Sequence, residues 1–289
     1  MTLSCERSYP VAGAGLGLRN EFFQDYLESP APEAAFLEAA PENWMGVGGP
    51  RGRRFCAYTE RFPFVFHGLS LSIGGPQPLD DAFLLELKRF LDRHQARCYT
   101  EHLSYTGDDG QLYDLMPIPF TAEAVRYVAA RIAHVQDVLE RRIGMENVSY
   151  YAAPGQDMAE IDFFNAVIEA ADCDVHLDVN NIYVNSINHG YDPYDFLSRI
   201  PGERIAYCHI AGHYVEAEDL RIDTHGADVI DPVWSLLDAA YDRFGVLPTL
   251  LERDFNIPPL TALRAELRRI QRAQAAAARR RSRAVGRVA

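Results

Sequence analysis

The sequence has few cysteines and no long apolar segment, and both shortages narrow the class of protein. Its five cysteines are odd in number and form no CxxC pair, so neither a disulfide framework nor a thiolate zinc site is indicated. No stretch approaches the roughly 18 apolar residues that a membrane-spanning helix needs. The N-terminus also lacks the basic segment and apolar run of a signal peptide. We therefore expect a cytoplasmic protein with no membrane partner.

Positive charge is also scarce. The formal net charge is -13 and the pI is near 5.1, so the overall field repels phosphate backbones and argues against a nucleic-acid partner. Residues 271–289 are an exception because they are rich in alanine and arginine. We interpret them as a flexible, solvated tail, with a basic arm that binds nucleic acid or membrane as the alternative. Residues 1–270 are then expected to form one domain.

Short β-rich apolar runs alternate with helical patterns along most of the chain, which is typical of βα units and a parallel sheet. The candidate strands are 11–18, 36–44, 62–70, 97–105, 143–150, 173–184, 204–213 and 246–254. Helices are predicted after Asp80 or Asp81, over 121–141, 157–171, 193–199 and 230–244, and from 259 onward. Eight strands with intervening helices favour a (β/α)8 TIM barrel, although the first two units carry little helix signal.

Polar residues collect where the predicted strands end. The third to sixth predicted strands end in His67, in Glu101 and His102, in Glu146 and Asn147, and in Asp178, Asn180 and Asn181. Two further sets lie at the ends of the last two strands or just beyond them: His209, His213, Asp223 and His225, and then Glu252 and Asp254. In a TIM barrel these positions form the active site. Any one of these residues alone is more often structural, so the prediction depends on their coincidence.

A group of buried carboxylates at a barrel mouth needs cations, because each unpaired buried charge costs several kcal/mol. Imidazole and carboxylate without thiolate suit iron, manganese or zinc. The number of candidates exceeds the three or four ligands of one catalytic ion, which indicates two or three metals. Of the other histidines, we interpret His94, His134 and His189 as surface residues. His176 is interpreted as a core residue and left out of the site.

Seven ordered motifs carry a family resemblance: HGLSLSIGG, EHLSY, ENVS, LDVNNIYVNSINHGYDP, HIAGH, DTHG and LLERD. Over about residues 11 to 260 the chain resembles the multinuclear non-haem iron-dependent oxidases, which include the methanobactin-maturing oxidase and enzymes that modify cysteines of ribosomally made (RiPP) peptides. The resemblance implies a TIM barrel with two or three Fe ions in mixed Fe(II)/Fe(III) states. The ligands that it implies are His67, His102, Glu146, Asp178, Asn181, His209, Asp223, His225 and Glu252, with His213 and Asn147 as supporting or substrate-contacting residues.

The same resemblance implies a reaction. A cysteine thiolate of a precursor peptide binds one iron, O2 binds the neighbouring iron, and the Fe(III)-superoxo removes a hydrogen from the cysteine β-carbon to give a heterocycle or a related product. It also implies a small partner protein that binds the leader part of the precursor.

Two other functions stay open at this point. One is a TIM-barrel hydrolase or isomerase that uses another divalent metal, and the other is a non-catalytic metal-binding protein. The identity of the metal tests the first, and a mass change in a cysteine-containing peptide tests the second.

Overall fold

The computed structural model describes residues 8–108 and 110–285, and within them eight parallel strands close into a barrel. The barrel strands are β1 (Ala14–Gly17), β2 (Phe36–Ala39), β3 (Phe64–His67), β4 (Cys98–His102), β7 (Gly144–Glu146), β8 (Asp174–Asp178), β9 (Ile205–Ile210) and β12 (Thr249–Leu251). Their order around the barrel is β1-β12-β9-β8-β7-β4-β3-β2. The predicted TIM barrel is confirmed.

Two antiparallel hairpins interrupt the βα alternation: β5 (Tyr105–Gly107) with β6 (Gln111–Met116), and β10 (Tyr214–Ala217) with β11 (Leu220–Ile222). The sequence analysis did not predict them. Each hairpin follows the carboxyl end of a barrel strand, β4 or β9. Both therefore project from the face of the barrel where a TIM-barrel active site lies.

The helices surround the barrel. They are α1 (Asn20–Phe23), α2 (Gly49–Arg61), α3 (Asp81–Arg93), α4 (Ala122–Leu139), α5 (Glu160–Ala171), α6 (Val179–His189), α7 (Pro193–Arg199), α8 (Asp231–Phe244) and α9 (Leu260–Val285). The predicted caps form: Asp80 accepts hydrogen bonds from the amides of Ala82 and Phe83, and Thr121 accepts one from Ala124. None of the described helices is both long and apolar enough to cross a membrane.

The sixth strand is shorter than predicted. It ends at Asp178, and the remainder of the predicted strand, 179–184, is the start of helix α6. Asp178 is the N-cap, because its Oδ1 accepts the Asn181 amide at 2.7 Å. The helix continues to His189.

The segment 271–285 continues helix α9 across the predicted domain boundary at residue 270. Gln274 and Ala277 are buried within it, and the Gln274 amide donates hydrogen bonds to the carbonyls of Gly13 and Leu247. The helix thus packs on the barrel at least as far as Ala277, and the flexible tail is a wrong interpretation for this part. Residues 286–289 lie outside the described range.

The floor of the barrel, the amino-terminal half of its interior, is an apolar cluster of Val11, Phe36, Val65, Ala206, Tyr207 and Leu250. A Cβ at Gly15 would lie 2.3 Å from the Phe36 ring, so glycine at this position lets the ring fill the floor. Above this cluster the Tyr207 hydroxyl donates to Glu38 Oε2 at 2.7 Å and lies 2.9 Å from Thr100 Oγ1. Tyr207 marks the change from an apolar floor to a polar mouth.

Candidate metal centre at the barrel mouth

The structure brings all nine predicted ligands to the carboxyl ends of the barrel strands and the segments that follow them. His67, Glu146, Asp178, Asn181, His209 and Glu252 are buried, whereas His102, Asp223 and His225 are half-buried. Strand register explains part of the grouping, because His102 pairs with Glu146 and Asp178 pairs with His209 across neighbouring strands. Seven of the nine, all except Asn181 and Asp223, belong to overlapping groups whose ligand atoms lie within 4.8 Å of one another.

The first group joins His67, His102 and Glu146. Glu146 Oε2 lies 3.2 Å from His67 Nε2 and 3.4 Å from His102 Nε2, and the two imidazole nitrogens are 3.0 Å apart. His67 Nδ1 lies 2.8 Å from Thr100 Oγ1, which fixes the ring. Three donors from neighbouring strands therefore converge on one point and can bind a metal ion.

The second group is centred on His209, with Glu38 and Glu252. His209 Nε2 lies 2.9 Å from Glu38 Oε2, and its Nδ1 lies 2.9 Å from Glu252 Oε2. The sequence analysis missed Glu38, although a lone carboxylate in the otherwise apolar strand FLEA was an available signal.

The third group consists of Asp178, His225 and Glu252. His225 Nδ1 lies 3.3 Å from Glu252 Oε2 and 2.9 Å from Asp254 Oδ2. Its Nε2 lies 2.6 Å from Asp223 Oδ1. The second and third groups share Glu252.

His176 belongs with the centre. Its ring is fully buried, with ring centroids 3.9 Å from His209 and 4.8 Å from His67, and it forms a group with Glu146 and His209. Neither ring nitrogen has a hydrogen-bond partner among the described residues. His176 is thus the core residue that the sequence analysis expected, and its ring also faces the candidate ligands.

Several buried atoms of the mouth lack hydrogen-bond partners within the described part of the chain, which tests whether cations fit. They are Asp178 Oδ2, Asn181 Oδ1, His209 Nδ1, His225 Nε2 and Glu252 Oε2. Leaving a buried polar group unsatisfied costs about 1–3 kcal/mol, and more for a charge. His209 Nδ1 lies 2.9 Å from Glu252 Oε2 without hydrogen-bond geometry, and an ion bound by both atoms would satisfy them. The donor set fits metal ions.

Burial and neighbouring charges shift the pKa values at the mouth. Burial raises the pKa of Glu146 to about 7 and that of Asp178 well above its usual range. Burial opposes charge on Glu252 and His209 as well, but their mutual attraction holds the pKa of Glu252 low and that of His209 high. Burial lowers the pKa of His67 to about 3. Burial thus favours the neutral forms of Glu146, Asp178 and His67, and bound cations would favour the ionised carboxylates.

Asn147 and His213 have supporting positions. Asn147 accepts the Asp178 amide at 2.9 Å and donates to the Asp178 carbonyl at 2.8 Å. His213 Nδ1 lies 2.8 Å from Asn180 Oδ1, and the Asn180 amide donates to Asp223 Oδ1 at 2.8 Å. Asn147 therefore fixes the backbone of one candidate ligand, and His213 acts on another through Asn180.

Of the histidines interpreted as surface residues, His134 is exposed as expected, whereas His94 and His189 are not. His94 is buried at the end of α3. His189 is half-buried, stacks on Tyr150 and lies 2.9 Å from the Tyr150 carbonyl. His134 pairs with Asp81 at 2.7 Å on the outer surface of α4. None of the three lies in a candidate metal group among the described residues.

The centre opens into a cavity of about 540 Å³. His67, His102, His225 and Glu252 lie along it, and the exposed side chains of Leu69, Leu112, Tyr151 and Phe255 form its rim. A cavity of this size suits a small ligand or a few residues of a peptide.

Solved structures with a similar fold are distant in sequence. Endonuclease IV from Thermus thermophilus has a TM-score of 0.59 at 16% identity and covers 91% of this chain and 98% of that one. D-psicose 3-epimerase from Clostridium cellulolyticum H10 has a TM-score of 0.58 at 13% identity and covers 92% and 96%. At such identities the likeness establishes the barrel fold alone.

Sequence relatives are much closer. A UPF0276 protein of Alcanivorax borkumensis is 62% identical over 275 residues, covering 90% of this chain and 91% of the relative. One from Nitrosospira multiformis is 59% identical over 266 residues, covering 92% and 94%. The family described as RiPP precursor modification enzyme MbnB/TglH/ChrH matches residues 13–275. The chain therefore belongs to the MbnB/TglH/ChrH family of RiPP precursor modification enzymes.

Proposed function

We propose that this protein is an O2-dependent multinuclear iron oxidase that modifies cysteine residues of a ribosomally made precursor peptide. The observation that carries the proposal is the chain of overlapping donor groups, in which Glu146, His209 and Glu252 each belong to more than one group. Carboxylates that belong to two groups would hold neighbouring cations. Nitrogen and oxygen donors without thiolate suit iron, and the family supplies the peptide substrate.

When bound, iron would lower the pKa of a substrate thiol and provide the place where O2 reacts. The protein's residues contribute position. His67, His102, His209 and His225 present nitrogen ligands from four segments, and Asp178, Glu146 and Glu252 supply the opposing negative charge. We assign Asn181, whose amide donates to Glu146 Oε1 at 3.3 Å, and Asp223 to the same ligand set.

Residues around the ligands hold the loops in place. Ser149 Oγ donates to Asp223 Oδ2 at 2.9 Å, and the Tyr151 hydroxyl accepts the Asp223 amide at 2.9 Å. Both residues also line the mouth cavity. A peptide cysteine in this cavity is then oriented against a centre of fixed geometry, which is the main way that a protein contributes to such a reaction.

The first experiment is metal analysis with Mössbauer spectroscopy on protein produced in iron-rich medium and purified without oxygen. Two or three irons per chain, with a coupled mixed-valence pair, support the proposal. Stoichiometric zinc or manganese that persists after reconstitution with iron would instead favour a divalent-metal hydrolase or isomerase.

The second experiment tests chemistry on a peptide. The protein is produced together with a cysteine-containing precursor and the small leader-binding partner protein that we propose, with and without O2. An O2-dependent mass change at cysteine supports the oxidase. Metal uptake with no mass change in the peptide would point to a non-catalytic metal-binding protein.

A further inference from the structure

A second cavity lies outside the barrel, between helices α2 and α3. Its volume is about 450 Å³, within the range of small-molecule sites. It shares no lining residue with the cavity at the barrel mouth. A ligand bound there can therefore be studied independently of the metal centre.

Two guanidinium groups line this second cavity without acidic partners. Arg53 on α2 has no hydrogen bond or ion pair within the described residues, and the hydrogen bond of Arg93 on α3 is a long one to Cys56 Sγ at 3.8 Å. Both side chains are exposed. Two guanidinium groups without a carboxylate partner at one cavity provide a site for an anion.

His94 adds a buried polar atom to the same cavity. It is 7% exposed, and its Nδ1 lies 2.9 Å from Thr59 Oγ1. The Thr59 hydroxyl donates its own hydrogen to the Cys56 carbonyl at 3.1 Å, so Nδ1 must carry the hydrogen that joins it to Thr59. Nε2 is then an acceptor, and it has no partner within the described residues. It suits a hydroxyl or amino group of a ligand.

Aromatic side chains form one of the remaining walls of this cavity, and a glycine-rich loop forms the other. Trp44 and Phe55 stack with ring centroids 4.1 Å apart and planes 7° apart, and Phe90 lies beside them. A Cβ added at Gly46, Gly48 or Gly49 would meet no atom within 4 Å. The walls thus offer apolar surface to a flat ring, and the glycines leave the loop side of the cavity unobstructed.

We propose that the cavity between α2 and α3 binds a small organic anion that carries an aromatic ring and a hydrogen-bond donor, the chemistry of a nucleoside monophosphate. The phosphate lies at Arg53 and Arg93, the ring contacts the aromatic wall, and a hydroxyl or amino group donates to His94 Nε2. The phosphate and the donor thus match an arginine pair without a carboxylate partner and a ring nitrogen without a hydrogen-bond partner among the described residues, and the aromatic wall adds apolar contact.

The test uses the full-length protein and AMP as the probe. The chain has two tryptophans, Trp44 and Trp234, so in a Trp234→Phe background the fluorescence reports Trp44 at the cavity wall. AMP should change this fluorescence in a saturable way, and adenosine should bind more weakly. Calorimetric titration of the unmutated protein with AMP provides a second measurement that needs no variant.

Arg93→Glu should weaken AMP binding about tenfold or more, since one charged hydrogen bond is worth at least the 1.4 kcal/mol of a tenfold change. Arg89→Glu is the matched control: it makes the same charge change on α3 at an exposed residue that does not line the cavity, and it should leave binding unchanged. Absence of saturable AMP binding at millimolar concentration would overturn the proposal. Equal binding by the Arg93→Glu and Arg89→Glu proteins would do so too.

Discussion

The floor and the mouth of the barrel are parts of one interior with opposite chemistry. The floor packs Phe36, Val65 and Leu250 with no charge. The mouth holds buried Glu38 and Glu252, each two residues beyond a floor residue, and buried Glu146 and Asp178 on β7 and β8, all beside imidazoles. The floor is stable by apolar burial alone. The mouth has buried polar atoms without hydrogen-bond partners among the described residues and has groups that can hold ions. One end of the barrel interior is thus suited to stability and the other to binding.

Removing a carboxylate that belongs to two candidate groups should cause the largest loss of bound metal and activity. In the Glu252→Ala protein, metal affinity and activity should fall by more than the roughly 10- to 100-fold that is typical when a supporting residue is removed. The loss is larger because Glu252 contacts both His209 and His225. Asp178→Ala should behave alike. Metal content per chain and turnover measure the effect, and Glu216→Ala on exposed β10 is the control. Full metal and turnover in either carboxylate variant would show that the centre is misplaced.

A smaller loss is expected from a residue that holds a ligand. Asn147→Ala removes both hydrogen bonds to the backbone of Asp178 and should weaken metal affinity about 10- to 100-fold. Titration against a competing chelator measures this affinity. Unchanged affinity together with lowered thermal stability would mean that Asn147 acts only in folding.

A substitution in the floor should lower stability and leave the metal content unchanged. Leu250→Ala removes a fully buried side chain from the apolar cluster and should lower the free energy of unfolding by about 2–5 kcal/mol. Below the unfolding transition its metal content should equal that of the parent. If the variant folds but loses metal, the two ends of the barrel are coupled and the contrast is wrong.

Glu160 sharpens the comparison because it is a buried carboxyl outside the candidate metal groups. It lies at the start of α5 and accepts a hydrogen bond from Asn185 at 3.0 Å, and burial raises its pKa to about 8. A raised pKa means that the folded state holds a proton that the unfolded state releases. Stability is then full below the usual pKa near 4.5 and falls as pH rises toward about 8.

Glu160→Gln should remove this pH dependence, which amounts to at most about 1.4 kcal/mol per pH unit for one proton. Chemical denaturation of parent and variant between about pH 5 and 8 compares the slopes. Parallel curves would show that Glu160 is ionised in the folded protein. A buried acid is thus neutralised by a proton at α5 and, in our proposal, by cations at the mouth.

The amino-acid sequence by itself determined the barrel and most of its candidate ligands. Alternating βα patterns give the fold, and residues at strand ends such as His67, Glu146 and Glu252 are placed together by the rule that parallel strands end on one face. Helix α6 was missed because the apolar run VHLDVNNIYV suits a strand as well as a helix, and only the cap at Asp178 separates the two.

Tertiary structure alone decided which buried polar residues face one another. Glu38 and His176 lie within strands, and period-2 alternation does not tell how deep in the barrel a side chain meets its neighbours; strand register and barrel closure do. The same holds for His94, which lies on a helix at a position where sequence suggests exposure, yet is buried because α2 and α3 enclose a cavity around it. Local sequence determines where each helix and strand forms, whereas each candidate binding group combines side chains from elements that are distant along the chain.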